Sequence, residues 1–292
     1  MNNYCFIKTD NNEKKYLKVL FLALIPCILF GFYYNGYLLY KHNLISLFDM
    51  FKPIYFPLIS LIISNIFVSI KNHALKIEYN RFSLYSVLFS LILPSKTPIY
   101  FLVGFIVLLN LLLNLLNKKI KFNILALFMI LSLLVLNYIL KINYNVFDLN
   151  INYDLKNYFM GTTLSGVGAS SIFAIIISYI IMSCNDLYKK EIPFYSLLSM
   201  IIISIIFLIF NKDFDKSILP VVTYNSFFIM TFIASDIYSS PYKYESKVFY
   251  GVLLGTLSYL GIIVFKSSLI TLLIITLLSF TSRYLNRIFI KK

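Results

Sequence analysis

Long apolar runs alternate along this chain with short polar gaps. Bounded by charge or by Pro and Asn, the runs lie near residues 17–39, 53–70, 82–94, 98–116, 122–140, 168–183, 192–210, 219–235, 248–265 and 267–282. A helix needs roughly 20 apolar residues to cross a hydrocarbon core of about 30 Å, so the pattern predicts about ten transmembrane helices. The third run is short for a full crossing unless Lys76 to Arg81 continue its helix. Only Lys266 and its neighbours part the last two runs, which leaves nine spans as the alternative count.

One gap differs from the rest. Between Lys141 and Gly168 lies the only long polar stretch, closing in Gly161-Thr-Thr-Leu-Ser-Gly-Val-Gly-Ala-Ser-Ser171. A bundle with short loops has little reason to keep so many residues outside lipid without a partner or ligand there. The stretch divides the chain into a short tail (1–15), a first half of five spans (16–140), a connection (141–167) and a second half of five spans (168–292). An odd number of spans per half inverts the second relative to the first, and inverted repeats often hold a ligand near their pseudo-two-fold interface. Leu93-Pro94-Ser95-Lys96-Thr97 after the third run and Phe265-Lys266-Ser267-Ser268 after the ninth form a weak internal echo. The expected fold is all-α and integral to the membrane, with about ten transmembrane helices in two inverted five-helix halves.

Composition agrees with this class. Hydrophobic residues make up 60% of the chain and charged ones 13%, with a mean hydropathy of +0.82, against roughly 25% charged in an ordinary soluble domain. Met1 to Lys15 are polar, of mixed charge and without a small-residue cleavage pattern, so they read as a cytoplasmic tail. The net charge of +14 comes from Lys and Arg in the gaps between runs, not from one basic face. That distribution speaks for topology and anionic headgroups and against nucleic acid. With the N-terminus inside, alternation puts Lys41, Lys52, Lys96, Lys141, Lys156, Lys212, Lys216 and Lys266 outside, 8 residues, and the other 18 of the 26 inside. The positive-inside rule thus places both termini in the cytoplasm and the long connection outside the cell membrane. Abundant Asn, Lys, Ile and Tyr with no Trp fit a low-GC bacterial genome.

Chemistry-bearing residues are few. Cys5, Cys27 and Cys184 show no C-x-x-C spacing, and with only His42 and His73 they build neither a zinc site nor a cysteine-ligated cluster. Asp236 ends the eighth run in Phe227-Phe-Ile-Met-Thr-Phe-Ile-Ala-Ser-Asp-Ile-Tyr-Ser-Ser-Pro241. Two readings stand for it: a carboxylate holding a cation or ligand, or an interfacial Asp that closes a helix before Pro241. Gly161, Gly166 and Gly168, followed by Ser170 and Ser171, open the sixth run. There the choice lies between backbone amides offered to an anion at a helix N-terminus and a loop whose serines cap those amides themselves.

Together these two segments resemble the membrane subunits D of the Rnf electron-transport complex and B of the sodium-translocating NADH:quinone oxidoreductase. Members of that family carry a G-x-x-x-G-S-x-G-E-T-S run opening span six. Gly161, Ser165, Gly166, Val167, Gly168, Ala169, Ser170 and Ser171 fall on it without gaps. They also carry an A-T-D-P-V-T-S-P run, matched by Ala234, Ser235, Asp236, Ile237, Tyr238, Ser239, Ser240 and Pro241. Beyond it Lys247, Gly251, Gly255 and Leu285-Asn286-Arg287 are similar to the family's basic residue, glycine-spaced span and closing span. In the first half, Leu91-Ile-Leu-Pro94 with Pro98 looks like L-x-L-P-x-x-x-P, and Phe122-Asn123 like F-N-P-A. The resemblance covers about residues 82 to 287.

The departures limit what it implies. Flavin-bearing relatives attach FMN to a threonine in the outer connection, yet Lys141 to Tyr158 contain no threonine, and Thr162 and Thr163 lack the recognition sequence. Covalent FMN is therefore not expected. Ala169 stands in place of the family's Glu, Ile237 and Ile124 in place of two prolines, and Asn117-Lys-Lys119 in place of a glycine pair. Losing the Glu removes a proton or sodium partner. The resemblance implies a divergent D-type subunit of an ion-translocating electron-transport complex, with a noncovalent flavin (FMN or riboflavin) between its halves near Gly161, Gly166, Gly168, Ser170, Ser171, Asn123 and Asp236. Its partners would be the lipid bilayer, other membrane subunits and an extracellular flavoprotein. Stacking of Tyr or Phe on the flavin is weighed against the ordinary use of aromatics in packing and interface belts. The alternatives are a redox-inactive scaffold for an extracellular partner and a small-molecule permease. Asn110 and Asn114, one turn apart, would be the permease's polar residues, or plain interhelical hydrogen bonds.

Overall fold

The computed structural model describes residues 10–75, 81–115, 122–142, 159–161, 165–212, 214–223 and 225–288. Residues 1–9 of the expected tail, the continuation at 76–80, Asn117 to Lys119, the connection from 143 to 158, and Thr162 and Thr163 lie outside the described residues. All regular structure among the described residues is helical.

Helix α1 (Asp10–Gly31) passes through a π-helical segment, Phe32–Tyr37, into α2 (Leu38–Lys41). Then come α3 (Leu47–Met50), α4 (Lys52–Leu75), α5 (Arg81–Ile92), α6 (Ile99–Leu115) and α7 (Ile124–Tyr138). Beyond the long connection lie α8 (Ile172–Ser183), α9 (Glu191–Asn211) and α10 (Phe214–Val222). Next, α11 (Ser226–Phe228) runs into a second π-helical segment, Ile229–Ile233, and α12 (Tyr244–Phe265) and α13 (Ser268–Ile288) complete the set. Among the described residues five stretches are long and apolar enough to cross a membrane: Lys15–Lys41, Lys52–Ile70, Glu191–Asn211, Tyr244–Phe265 and Leu269–Ile288. Ile99–Asn114, Ile124–Tyr138 and Ile172–Ser183 are shorter apolar helices. This is a multi-pass membrane protein.

Two of the expected spans are short helices and one is broken. The 12 described residues of α5, which follow the undescribed 76–80, and the 12 of α8 each reach about 18 Å at 1.5 Å per residue. The eighth run is broken: α10 contains Pro220, and Asn225 then takes a left-handed conformation (φ 60°) before α11 begins. Irregular backbone at membrane depth requires protein partners for its N–H and C=O groups, and Asn225 at the break before α11 and Ser170 and Ser171 before α8 are buried.

Small residues bring those helices close. On α12, Gly251 and Gly255 lie against the carbonyls of Ile192 and Ser196 and the hydroxyl of Ser199 on α9, so near that a Cβ at Gly255 would fall 2.0 Å from the Ser196 oxygen. This is the small-xxx-small contact of membrane helices. The α1–α8 contact places the Cys27 thiol 3.3 Å from the Ser178 hydroxyl. Across α4, α5 and α6, Ser64 donates to Ser86 (2.7 Å) and Asn110 to Ser64 (3.2 Å). Helix α7 joins α13 through the Asn123 amide, which donates to Ser279 Oγ at 3.0 Å, and through Phe122 stacked on Phe280 at 5.0 Å.

Candidate functional site

The extended segment from Ser165 to Ser171 threads between three elements. Its Val167 and Gly168 amides donate to the Leu93 and Leu91 carbonyls at the end of α5, both at 2.9 Å. The Gly166 amide donates to Asn225 Oδ1 at 2.7 Å in the break before α11, and the Ala169 amide to the Gly166 carbonyl at 3.3 Å. From the first π-helical segment, the Asn35 side chain donates to the Gly166 and Val167 carbonyls at 2.9 and 3.2 Å. The extra residue of a π turn shifts the register of the side chains around it, and here Asn35 is the one that meets the segment.

Glycine is required here by proximity. A Cβ at Gly166 would stand 2.4 Å from the Ile92 carbonyl, one at Gly168 2.3 Å from Leu91, and one at Gly31 of α1 2.4 Å from the Val167 carbonyl. Gly161 has φ +135° and faces the Tyr34 ring. Ser171 is the N-cap of α8, its hydroxyl accepting from the Ala174 amide at 3.2 Å. Ser170 is buried beside it. Of the two sequence readings of this turn, the self-capped junction describes the geometry.

Asp236 lies at the opposite end of the 225–233 helix. Its Oδ1 accepts from the Tyr85 hydroxyl at 2.8 Å, and its Oδ2 from the Ser239 amide and hydroxyl at 3.1 and 2.7 Å. Asn123 sits close by, donating to the Ile233 carbonyl at 2.8 Å while its own oxygen caps α7 at the Ala126 amide. Lys189, from the turn between α8 and α9, extends its ammonium to the Ile237 carbonyl and to both oxygens of Ser240, at 2.8, 2.7 and 2.8 Å. Burial lowers the Lys189 amine to about 8, against the pull of Asp236 upward and with Lys247 adding to the decrease. The adjoining Tyr188 hydroxyl, pushed well up by burial, donates to the Thr231 carbonyl at 2.9 Å. That carbonyl belongs to the second π-helical segment, where the i→i+4 pattern is interrupted.

Over residues 121–269 the chain matches the family described as NQR2, RnfD, RnfE. The chain belongs to this family. The matched stretch contains the glycine turn and the Asp236 loop and covers just over half of the sequence. None of the curated proteins compared matches the chain.

For this NQR2, RnfD, RnfE family member the residues singled out in the sequence fall into two groups. Gly166 meets Asn225 at the start of the 225–233 helix, with Gly168 on Leu91, Gly161 beside Tyr34 and Ser170, and Ser171 capping α8, while Asn123 and Asp236 lie at the other end of that helix, eight residues on, or roughly 12 Å. The amides of residues 166 to 169 donate to protein acceptors, and the Asp236 carboxylate accepts from Tyr85 and Ser239. These groups form a helix junction and a loop closure. Ala169, where the family has Glu, is buried.

Sequence reasoning missed Asn35, Asn225, Lys189, Tyr85 and Tyr188. A lone Asn beside Gly36 in an aromatic run was a usable signal for Asn35, and Pro220 followed by Asn225 was one for the break. Lys189 was indistinguishable from the topological charges around it. Among the described residues no group of His, Cys, Asp and Glu is placed to hold a metal ion.

Proposed function

We propose that this chain is a divergent D-type membrane subunit of an ion-translocating electron-transport complex, lying in the cell membrane with both termini cytoplasmic. The family match over 121–269 carries this reading, because it spans both the glycine turn and the Asp236 run. The arrangement as two inverted halves is supported by like pairings: α4 with α6 in one half and α9 with α12 in the other, and α1 with α8 and α7 with α13 between them. In this reading the partners are other membrane subunits and an extracellular flavoprotein. Isolating a tagged chain from its native membranes in mild detergent tests it: membrane and flavoprotein subunits should co-purify, and a chain that emerges alone counts against the reading.

A flavin would supply one- and two-electron transfer near the outer face, and in this chain it would be held noncovalently, since Lys141 to Tyr158 offer no threonine. The engagement of the turn amides and of Asp236 by protein groups favours the second reading, a redox-inactive scaffold whose conserved-looking turn serves to join helices. The visible spectrum before and after acid precipitation separates the two. Yellow colour released to the supernatant supports the flavin subunit, a colourless preparation supports the scaffold, and colour retained in the pellet contradicts both. The permease reading loses its main candidate, because Asn110 forms an interhelical hydrogen bond to Ser64.

A further inference from the structure

Beside the small-residue contact between α9 and α12, α9 presents a second face of the opposite character. Phe194, Leu197, Leu198, Ile201 and Ile202 recur at helical spacing and, with Tyr179 of α8, line an apolar slot of about 280 Å³. Phe194, Leu198, Ile201 and Ile202 remain between 39% and 50% exposed. Tyr179 closes the end of the slot near Phe194, its hydroxyl donating to the Lys190 carbonyl at the start of α9 at 3.2 Å and its ring edge-on to Tyr188 at 6.1 Å.

We propose that this slot is a binding site for one anionic phospholipid, its acyl chain along α9 and its phosphate at Lys190. Membrane helices pack through small residues, as α9 itself does through Ser196 and Ser199 on its other face. The slot is lined without Gly, Ala or Ser, which suits a flexible hydrocarbon chain and not a helix. From Phe194 to Ile202 it runs roughly 12 Å, close to the depth of one leaflet, about 15 Å. Lys190 lies one turn before Phe194, its carbonyl accepting from the Phe194 amide at 3.3 Å as well as from the Tyr179 hydroxyl. Lys190 is exposed there. The acids around it are mostly engaged: Glu191 pairs with Lys247 at 3.1 Å and Asp236 with Tyr85 and Ser239, while Asp186 is exposed on the same turn. By the alternating assignment this end of the bundle carries 18 of the 26 Lys and Arg, a field that favours an anionic headgroup.

The chain has no Trp, so one introduced Trp becomes a selective reporter. Ile205→Trp places it one turn beyond the slot, and Leu277→Trp places it on the exposed side of α13. The full chain carrying either reporter is reconstituted in phosphatidylcholine bilayers with brominated phosphatidylglycerol or brominated phosphatidylcholine as quencher. At Ile205→Trp the anionic lipid should reach half-maximal quenching at a mole fraction lower by roughly fivefold, the weight of one lysine near an anionic lipid. At Leu277→Trp the two lipids should quench alike. Adding Lys190→Glu to Ile205→Trp should abolish the difference, with unchanged phosphatidylcholine quenching at Leu277→Trp, also carrying Lys190→Glu, as evidence of correct insertion. Equal quenching by the two lipids at Ile205→Trp, a preference that survives Lys190→Glu, or protection from both lipids would each overturn the proposal.

Discussion

The Lys189 ammonium donates to the Ser240 carbonyl at 2.7 Å and ties the α8–α9 turn to the loop that follows the second π-helical segment. Removing the amine leaves the Ile237 carbonyl and both Ser240 oxygens without this donor. Lys189→Met is expected to lower stability at pH 7 by about 3 kcal/mol, since each orphaned buried group costs roughly 1–3 kcal/mol and the lost burial penalty of the charge offsets part of it. Thermal unfolding in detergent measures this, and a variant as stable as the parent would show the tie to be incidental.

The same lysine gives a pH dependence of definite sign. Its amine titrates near 8 in the folded protein against an ordinary value of 10.5, so between those values the unfolded chain binds the extra proton. Stability therefore rises with pH across that window, by at most about 3 kcal/mol, and is insensitive to this group below it. The stability difference between the parent and Lys189→Met should be flat from pH 6 to 7 and grow from about pH 8 to 10, on the order of one unit either way. A difference that shrinks over that range would contradict the assignment.

Gly166 and Gly104 should respond oppositely to alanine. A methyl at Gly166 meets the Ile92 carbonyl at 2.4 Å, whereas at Gly104 on α6 nothing lies within 4 Å. Gly166→Ala is expected to destabilise by roughly 1–3 kcal/mol or more, because the neighbour is backbone and cannot swing away. Gly104→Ala should stabilise by about 0.5–1 kcal/mol through helix propensity. The comparison is read from paired melting curves, and equal shifts would mean that the turn can move off α5.

How much of this was legible in the sequence follows from what each residue depends on. Continuous apolar runs announce their helices, so Glu191–Asn211 was found to within a residue at each end and Tyr244–Phe265 at its C-terminal end. Run three was found as the short helix α5, but run six loses its first residues to the extended turn before α8 and run eight breaks at Asn225. Apolar composition cannot separate a full helix from a half-helix joined to buried extended backbone, because both are enclosed by protein. The glycine turn was visible from its spacing, but whether its amides faced a ligand or the α5 carbonyls depended on a partner some 75 residues earlier. Lys189 and Lys190 are adjacent and alike in sequence; one is buried on three oxygens and the other exposed, a distinction that only the Asp236 loop creates.

Asn110 separates structural glue from a solute path. Its Nδ2 donates to Ser64 while its Oδ1 is buried without a partner among the described residues. An interhelical hydrogen bond in a membrane is worth about 0.6 kcal/mol on average, and removing the orphaned oxygen relieves roughly 1–3 kcal/mol, part of which the bulkier Leu gives back in strained packing. Asn110→Leu should therefore unfold within about 1 kcal/mol of the parent. A much larger loss in the melting experiment would show that Asn110 organises more of α4 and α5 than its one bond indicates.

Asn225 performs two tasks that substitution can separate. Its left-handed backbone (φ 60°) permits the break before α11, and its Oδ1 accepts the Gly166 amide at 2.7 Å. Asn225→Gly keeps the backbone freedom and removes the acceptor, leaving a buried N–H unpaired at a cost of roughly 1–3 kcal/mol. Asn225→Ala loses the acceptor and adds left-handed strain of about 1–2 kcal/mol. The expected order of melting temperatures is parent, then Gly, then Ala. If Gly matched the parent while Ala fell, the break would need only its backbone conformation and the bond to Gly166 would be dispensable. If both variants matched the parent, the Ser165–Ser171 segment would be held by α5 and Asn35 alone.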